Sequence, residues 1–204
     1  MSKPIKIDIS GILKKRAPNT RVPKFIVAFL KRIVHEEEIN QFFDEHPDKK
    51  NLDFMEAAFR FLDIKTIVEG EENLPDGGKY IFVCNHPLGG MDGIATGFLL
   101  GKKYHGKIRF FSNDLLSNLE PLREMFIPVN KFGSQVRGNA HMMNELYESD
   151  NHLLTFPAGM VSRKIKGEIM DLEWKKNFIL KSVQYQRDIV PIYFEGRNSE
   201  FFYN

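Results

Sequence analysis

The sequence predicts an α/β fold, a single domain with a largely parallel central sheet flanked by helices and preceded by an N-terminal amphipathic two-helix segment. Three observations carry this. From Ile64 onward, short strand-like runs alternate with helix-length segments, which implies parallel strands joined by helical crossovers. The run Ile81-Phe82-Val83 has no polar alternation, as expected of a strand covered on both faces. And 204 residues at 42% hydrophobic content suffice for one well-buried core.

Taken in order, residues 1–20 read as an irregular, basic, Pro-containing lead-in. Val22 to Phe43 reads as one helix with Pro23 in its first turn. Its apolar residues Phe25, Ile26, Phe29, Leu30, Ile33 and Val34 recur at spacings of three and four, with Lys24, Lys31 and Arg32 at other positions. After the break at His46-Pro47-Asp48, a second helix is expected over Leu52–Leu62. Either the two helices cover one face of the domain, or the basic residues beside an aromatic-rich stripe suit an anionic membrane surface. The domain boundaries expected are therefore 1–63 for the lead-in and helical pair and 64–204 for the α/β part.

Within that part, strands are expected at Ile64–Glu69, Lys79–Cys84, Ile108–Phe111, Met125–Val129, His152–Phe156 and Ile189–Phe194. Helices fit between them at 92–103, 114–124, 134–149 and 173–187. Trp174, the single tryptophan, is expected to pack the last of these helices onto the sheet.

A formal charge of +2 is too small to argue for nucleic acid. The charge is instead clustered, with Lys14, Lys15, Arg16, Arg21, Lys24, Lys31 and Arg32 all near the N-terminus. One cysteine, Cys84, excludes an internal disulfide framework and reads as a small core residue in a reducing compartment. The six histidines are scattered and have no paired cysteines, so no metal site is expected. No stretch approaches the roughly 18 apolar residues needed to span a bilayer. The expectation is a protein kept on the cytoplasmic side.

The chemistry concentrates where the strand ending at Cys84 runs into Asn85-His86-Pro87-Leu88-Gly89-Gly90-Met91-Asp92. Pro87, Gly89 and Gly90 break the strand, and the segment from Gly93 to Leu100 has helical spacing. Asp92 thus falls in a helix first turn, where the dipole favours a carboxylate. Neutral imidazole is well matched to removing a proton at neutral pH once its tautomer and orientation are fixed, and Asp92 could fix both. The plainer alternative makes Asp92 a helix cap and His86 a turn residue satisfied by a carbonyl. Two further strand ends carry Pro/Gly turns or a proline: Phe156-Pro157-Ala158-Gly159, followed by Arg163, and Val190-Pro191-Ile192.

Asn85-His86 with a downstream Asp, then Phe156-Pro157-Ala158-Gly159, then Pro191, resembles the ordered motif set of the glycerolipid acyltransferase family that includes lysophosphatidic acid acyltransferases. The likeness runs from about Lys65 to the end of the chain. The wording around His86 and Phe156 is similar to a haemolysin-like bacterial subgroup associated with acylation of lyso-aminolipids of the ornithine or glycine type. Two departures stand out: five residues separate His86 from Asp92 where the family usually has four, and Ala158 replaces the usual Glu.

The resemblance implies an O-acyltransferase using a His86–Asp92 dyad, with an acyl thioester of acyl-carrier protein or CoA as co-substrate and no bound cofactor. It also implies a lyso-lipid acceptor held by Arg163, Lys131 and Arg137, which on the plainer alternative are solvated cations of their loops, and peripheral attachment to the cytoplasmic face of the inner membrane. Lysophosphatidic acid is the alternative acceptor, and a catalytically inactive membrane-binding module is the alternative of another class. Related proteins usually continue further past the segment of Pro191, so a C-terminally truncated chain is expected.

Overall fold

The computed structural model describes residues 6–112, 119–128 and 136–203. The chain divides into two compact units, Met1–Lys49 and Lys50–Asn204.

The first unit holds three helices: α1 (Ile9–Arg16), α2 (Lys24–Ile33) and α3 (Glu36–Glu45). The helix expected over 22–43 is thus broken. His35 adopts a left-handed conformation with φ 53°, and Glu36, Glu37 and Glu38 open α3 where the helix dipole favours acidic side chains. Asn40 exchanges two hydrogen bonds with the Ile7 backbone, at 2.7 and 2.9 Å. Glu36 accepts the Ile9 N–H and pairs with Lys31 at 2.7 Å. No residue of α2 is buried, and Phe25 and Phe29 are 73% and 54% exposed.

The second unit begins with α4 (Asn51–Phe61), so the helix expected at Leu52–Leu62 belongs with the sheet and the expected boundary at 63 moves to 49. The physical reason is that Phe54, Met55, Ala57 and Ala58 are buried, and α4 packs against α5 (Gly90–Lys103). The strand expected at Ile64–Glu69 does not form. Ile67 stands 93% exposed there.

Five parallel strands make the sheet: β1 (Tyr80–Cys84), β2 (Ile108–Ser112), β3 (Phe126–Pro128), β4 (His152–Thr155) and β7 (Asp188–Ile192), in the order β3-β2-β4-β1-β7. A hairpin of β5 (Arg163–Ile165) and β6 (Glu168–Met170) lies between β4 and β7 in the chain and was not anticipated. Helices α6 (Val136–Glu148), α7 (Asn177–Tyr185) and α8 (Glu200–Tyr203) complete the unit. Of the helix expected at 114–124, residues 113–118 lie outside the described residues, and Glu120–Leu122 forms a single 3₁₀ turn.

The two faces of β1 explain its unbroken apolar run. Ile81 and Val83 join Leu153, Ile127 and Tyr147 in one cluster, onto which Met143 and Leu146 of α6 and Phe178 and Tyr185 of α7 pack. Alternation turns Phe82 to the other face, where its ring lies 5.5 Å from that of Tyr104. Ile81, Phe82, Val83 and Leu153 are essentially fully buried, and each contributes roughly 1.5–3 kcal/mol of transfer free energy. Helix α5 lies close against the sheet because Gly97 has no side chain; a Cβ there would stand 2.2 Å from Phe110 Cζ.

Two buried polar residues brace this core. Arg187, 1% exposed, donates to the carbonyls of Leu146, Tyr147, Ser149 and Asn151, which lie at and just beyond the end of α6, where the dipole favours a cation. The ring of His152 stacks on Tyr80 and lies 4.1 Å from that of Tyr104. Its Nδ1 is buried without a partner, and desolvation, then the cations Arg187 and Lys107, hold its pKa below the usual histidine value.

The strand order decides where the motifs meet. β1 sits between β4 and β7, with Val83 opposite Thr155 on one side and Cys84 opposite Ile192 on the other. The segments that leave the carboxyl ends of these three strands are therefore neighbours in space, and each carries one of the motifs.

Candidate active site

Asn85 is the first residue beyond β1. Its side-chain amide donates to the Phe194 carbonyl at 2.8 Å and accepts the Phe194 N–H at 2.6 Å, so it continues the pairing of β1 with β7 as a peptide group would. β7 is an edge strand, which is where Pro191 can sit without costing the sheet a ladder bond. Asn198 reaches back to donate to the Pro87 carbonyl at 2.8 Å. Cys84 is buried beneath the turn, and desolvation pushes its thiol up to about 12.

The turn itself depends on Gly89, whose φ of 78° and ψ of −122° are accessible essentially to glycine alone. A Cβ there would also stand 2.9 Å from Val161 Cγ2. Gly90 then opens α5 and puts Asp92 in its first turn, fully buried. Asp92 Oδ2 accepts the N–H groups of Leu88 at 2.8 Å and Gly89 at 2.9 Å, and stands 3.1 Å from His86 Nδ1. The longer spacing between His86 and Asp92 is thus absorbed in the glycine turn and the pair still forms. Both expectations for Asp92, helix cap and histidine partner, describe the same carboxylate oxygen.

Phe156, leaving β4, lays its ring 4.4 Å from the imidazole of His86, between ring centres. Pro157 and Ala158 follow, both buried, and Gly159 turns the chain with φ 68° while donating to the Phe156 carbonyl. The chain then returns to His86, where the Ser162 N–H donates to the His86 carbonyl at 2.9 Å.

Arg163 is the next residue, at the start of β5, with its guanidinium 4.8 Å from the centre of the Phe202 ring. Arg137 falls in α6, but its side chain is outside the described residues, as is the whole of Lys131.

Sequence reasoning missed Asp171, which follows β6. Its two carboxylate oxygens stand 3.2 and 3.3 Å from the His86 backbone nitrogen. They also accept from Ser162 Oγ at 2.5 Å and Trp174 Nε1 at 2.9 Å. Trp174 consequently does not pack a helix onto the sheet. It precedes α7, is 37% exposed, and meets Phe178 edge-on. The sequence signal was faint: Lys166-Gly167 marks a turn between two three-residue strands, and only that hairpin brings residue 171 back to residue 86.

The parallel sheet thus ends in an imidazole backed by a buried carboxylate. Residues 11–204 match the acyltransferase family, and the chain belongs to that family.

Among its relatives is the lyso-glycine lipid O-acyltransferase of Phocaeicola vulgatus, 52% identical over 200 residues, covering 97% of this chain and 72% of that protein. The protein of the same name from Bacteroides thetaiotaomicron is 51% identical over 97% of this chain and 74% of its own length. The crystal structure of PlsC, the 1-acyl-sn-glycerophosphate (LPA) acyltransferase from Thermotoga maritima, is similar at a TM-score of 0.48 and 19% identity, over 89% of this chain and 64% of that one.

Proposed function

We propose that the protein transfers a fatty acyl group from an acyl thioester to the hydroxyl of a lyso-aminolipid, with a lyso-glycine lipid as acceptor. The chemistry rests on the His86–Asp92 contact and the acceptor on the names of the two relatives at about half identity. With Nδ1–H donated to Asp92, His86 presents Nε2 unprotonated. It takes the proton of the acceptor hydroxyl as that oxygen attacks the thioester carbonyl, then returns it to the departing sulfur as the C–S bond breaks. An ester and a free thiol result, without an acyl-enzyme. Asp92 fixes the tautomer and stabilises the imidazolium.

The oxyanion needs N–H donors. Those of His86, Leu88 and Gly89 are bonded to Asp171 or Asp92, and Pro87 has none. This leaves the N–H groups of Gly90 and Met91 in the first turn of α5 as the donors nearest the turn. Arg163, with Lys131 and Arg137, is the candidate group for the acceptor carboxylate, and Ala158 carries no charge where the family usually has a Glu. The donor is a thioester of acyl-carrier protein or CoA, and the reaction calls for no cofactor.

No helix among the described residues is long and apolar enough to cross a membrane. Helix α2, with its exposed phenylalanines beside Lys24 and Arg32, is suited to lie in the surface of an anionic bilayer, and this supports the reading of a peripheral enzyme on the cytoplasmic face of the inner membrane.

Competition between N-acylated glycine lipid and lysophosphatidic acid for one labelled acyl thioester tests the acceptor. Preferential labelling of the glycine lipid is expected, and preferential labelling of lysophosphatidic acid would overturn the assignment.

A further inference from the structure

The hairpin β5–β6 has no place in the sheet, yet the two residues that flank it meet at one peptide. Ser162, just before β5, donates its N–H to the His86 carbonyl. Asp171, just after β6, accepts the His86 N–H through both oxygens. Ser162 Oγ closes the base of the hairpin by donating to Asp171 at 2.5 Å, and the Trp174 indole N–H fixes the other oxygen at 2.9 Å. The N–H and C=O of His86 are thus both held by this one hairpin, while its ring is held by Asp92.

We propose that Asp171 is a positioning residue for the acyl transfer, aligning the imidazole of His86 by holding its backbone. The proposal rests on His86 being the base. A carboxylate is the fitting group here because it accepts several N–H and O–H bonds at once. Asn85 and Pro87 restrain the chain on either side of His86, while the glycines at 89 and 90 leave the rest of the turn compliant. Asp92 restrains the ring at one nitrogen and Phe156 lies against it, but neither contact holds the peptide from which the ring projects, and this leaves the side chain freedom to shift. Fixing the peptide as well removes that freedom, and misplacement by about 1 Å can cost on the order of a hundredfold in rate.

The structure also limits what Asp171 does. Its oxygens are directed to backbone, hydroxyl and indole donors, so its contribution is geometric and does not require its charge. Asparagine at this position keeps one oxygen for the His86 N–H, and its NH2 can donate to Ser162 Oγ.

Asp171→Ala, Asp171→Asn, Ser162→Ala and His86→Ala are compared in thiol release from an acyl thioester, at a temperature where circular dichroism shows each to be folded. Asp171→Ala is expected to lower kcat by about tenfold or more with KM for the thioester within about threefold of the parent, and Asp171→Asn to recover most of the loss. Ser162→Ala, which frees the carboxylate but keeps the backbone bond, is expected to lower kcat by about threefold, and serves as the deciding variant if Asp171→Ala does not fold.

An unchanged kcat in folded Asp171→Ala, or in Ser162→Ala in its place, overturns the proposal, as does an Asp171→Asn as impaired as the alanine. His86→Ala separates the two levels: if it is inactive while Asp171→Ala is not, only the positioning role falls, whereas full activity of His86→Ala removes the reading beneath it.

Discussion

Oδ2 of Asp92 lies 3.1 Å from Nδ1 of His86, and the same oxygen holds the backbone of the turn between them. One buried atom therefore fixes both the ring and the loop that carries it. Asp92→Asn is expected to lower turnover by about a hundredfold or more. The amide oxygen can still meet the N–H groups of Leu88 and Gly89, but the side chain carries no charge to stabilise the imidazolium formed when His86 takes the proton. Steady-state thiol release measures this; turnover within threefold of the parent would separate Asp92 from the chemistry.

Gly89→Ala meets two obstacles, a φ of 78° and the Val161 methyl 2.9 Å away. The backbone strain alone costs about 1–3 kcal/mol. A lower melting temperature and a large loss of activity are expected. Combining it with Val161→Ala removes the clash but not the strain, so little recovery should follow; full recovery in the double variant would assign the effect to crowding.

His152 makes stability depend on pH. Its pKa is lowered in the folded protein, so the unfolded chain binds the proton first as pH falls. The stability contributed by the neutral ring is complete above the unfolded value of about 6.5 and is lost as pH falls from there through the folded value. Urea unfolding at pH 7.5 and pH 5 should show this loss in the parent and less of it in His152→Phe. Equal loss in both would place the pH dependence elsewhere.

The apolar face of α2 is tested with Phe25→Ser and Phe29→Ser, since Lys31 is engaged with Glu36 and its replacement would disturb the helices themselves. Sedimentation with anionic liposomes should fall in the double variant, and raising the salt should weaken what binding remains. Unchanged sedimentation would show that α2 does not carry attachment.

The parallel sheet was legible because β1, β4 and β7 are short apolar runs followed within three residues by proline, or broken by it, and the neighbourhood of His86 and Asp92 was legible because both lie on one turn. Ile64–Glu69 misled because composition reports only that its residues suit a strand; the segment pairs with neither outer strand of the sheet, β3 or β7, and propensity does not report pairing. The break at His35 was readable in hindsight from Glu36-Glu37-Glu38, three acidic residues of the kind that open a helix.

The clasp of Ser162 and Asp171 on His86 had no comparable signal. It joins residues 85 apart through a hairpin whose strands are three residues long, and neither periodicity nor spacing reports a contact made that way.

The central claim is that His86 is the base. Thiol release from an acyl thioester in the presence of lyso-glycine lipid, measured for the parent and for folded His86→Ala, tests it most directly. A fall of at least about a hundredfold is predicted, since general-base assistance is typically worth about 10²–10⁴; a folded His86→Ala protein that turns over at the parent rate would contradict the account.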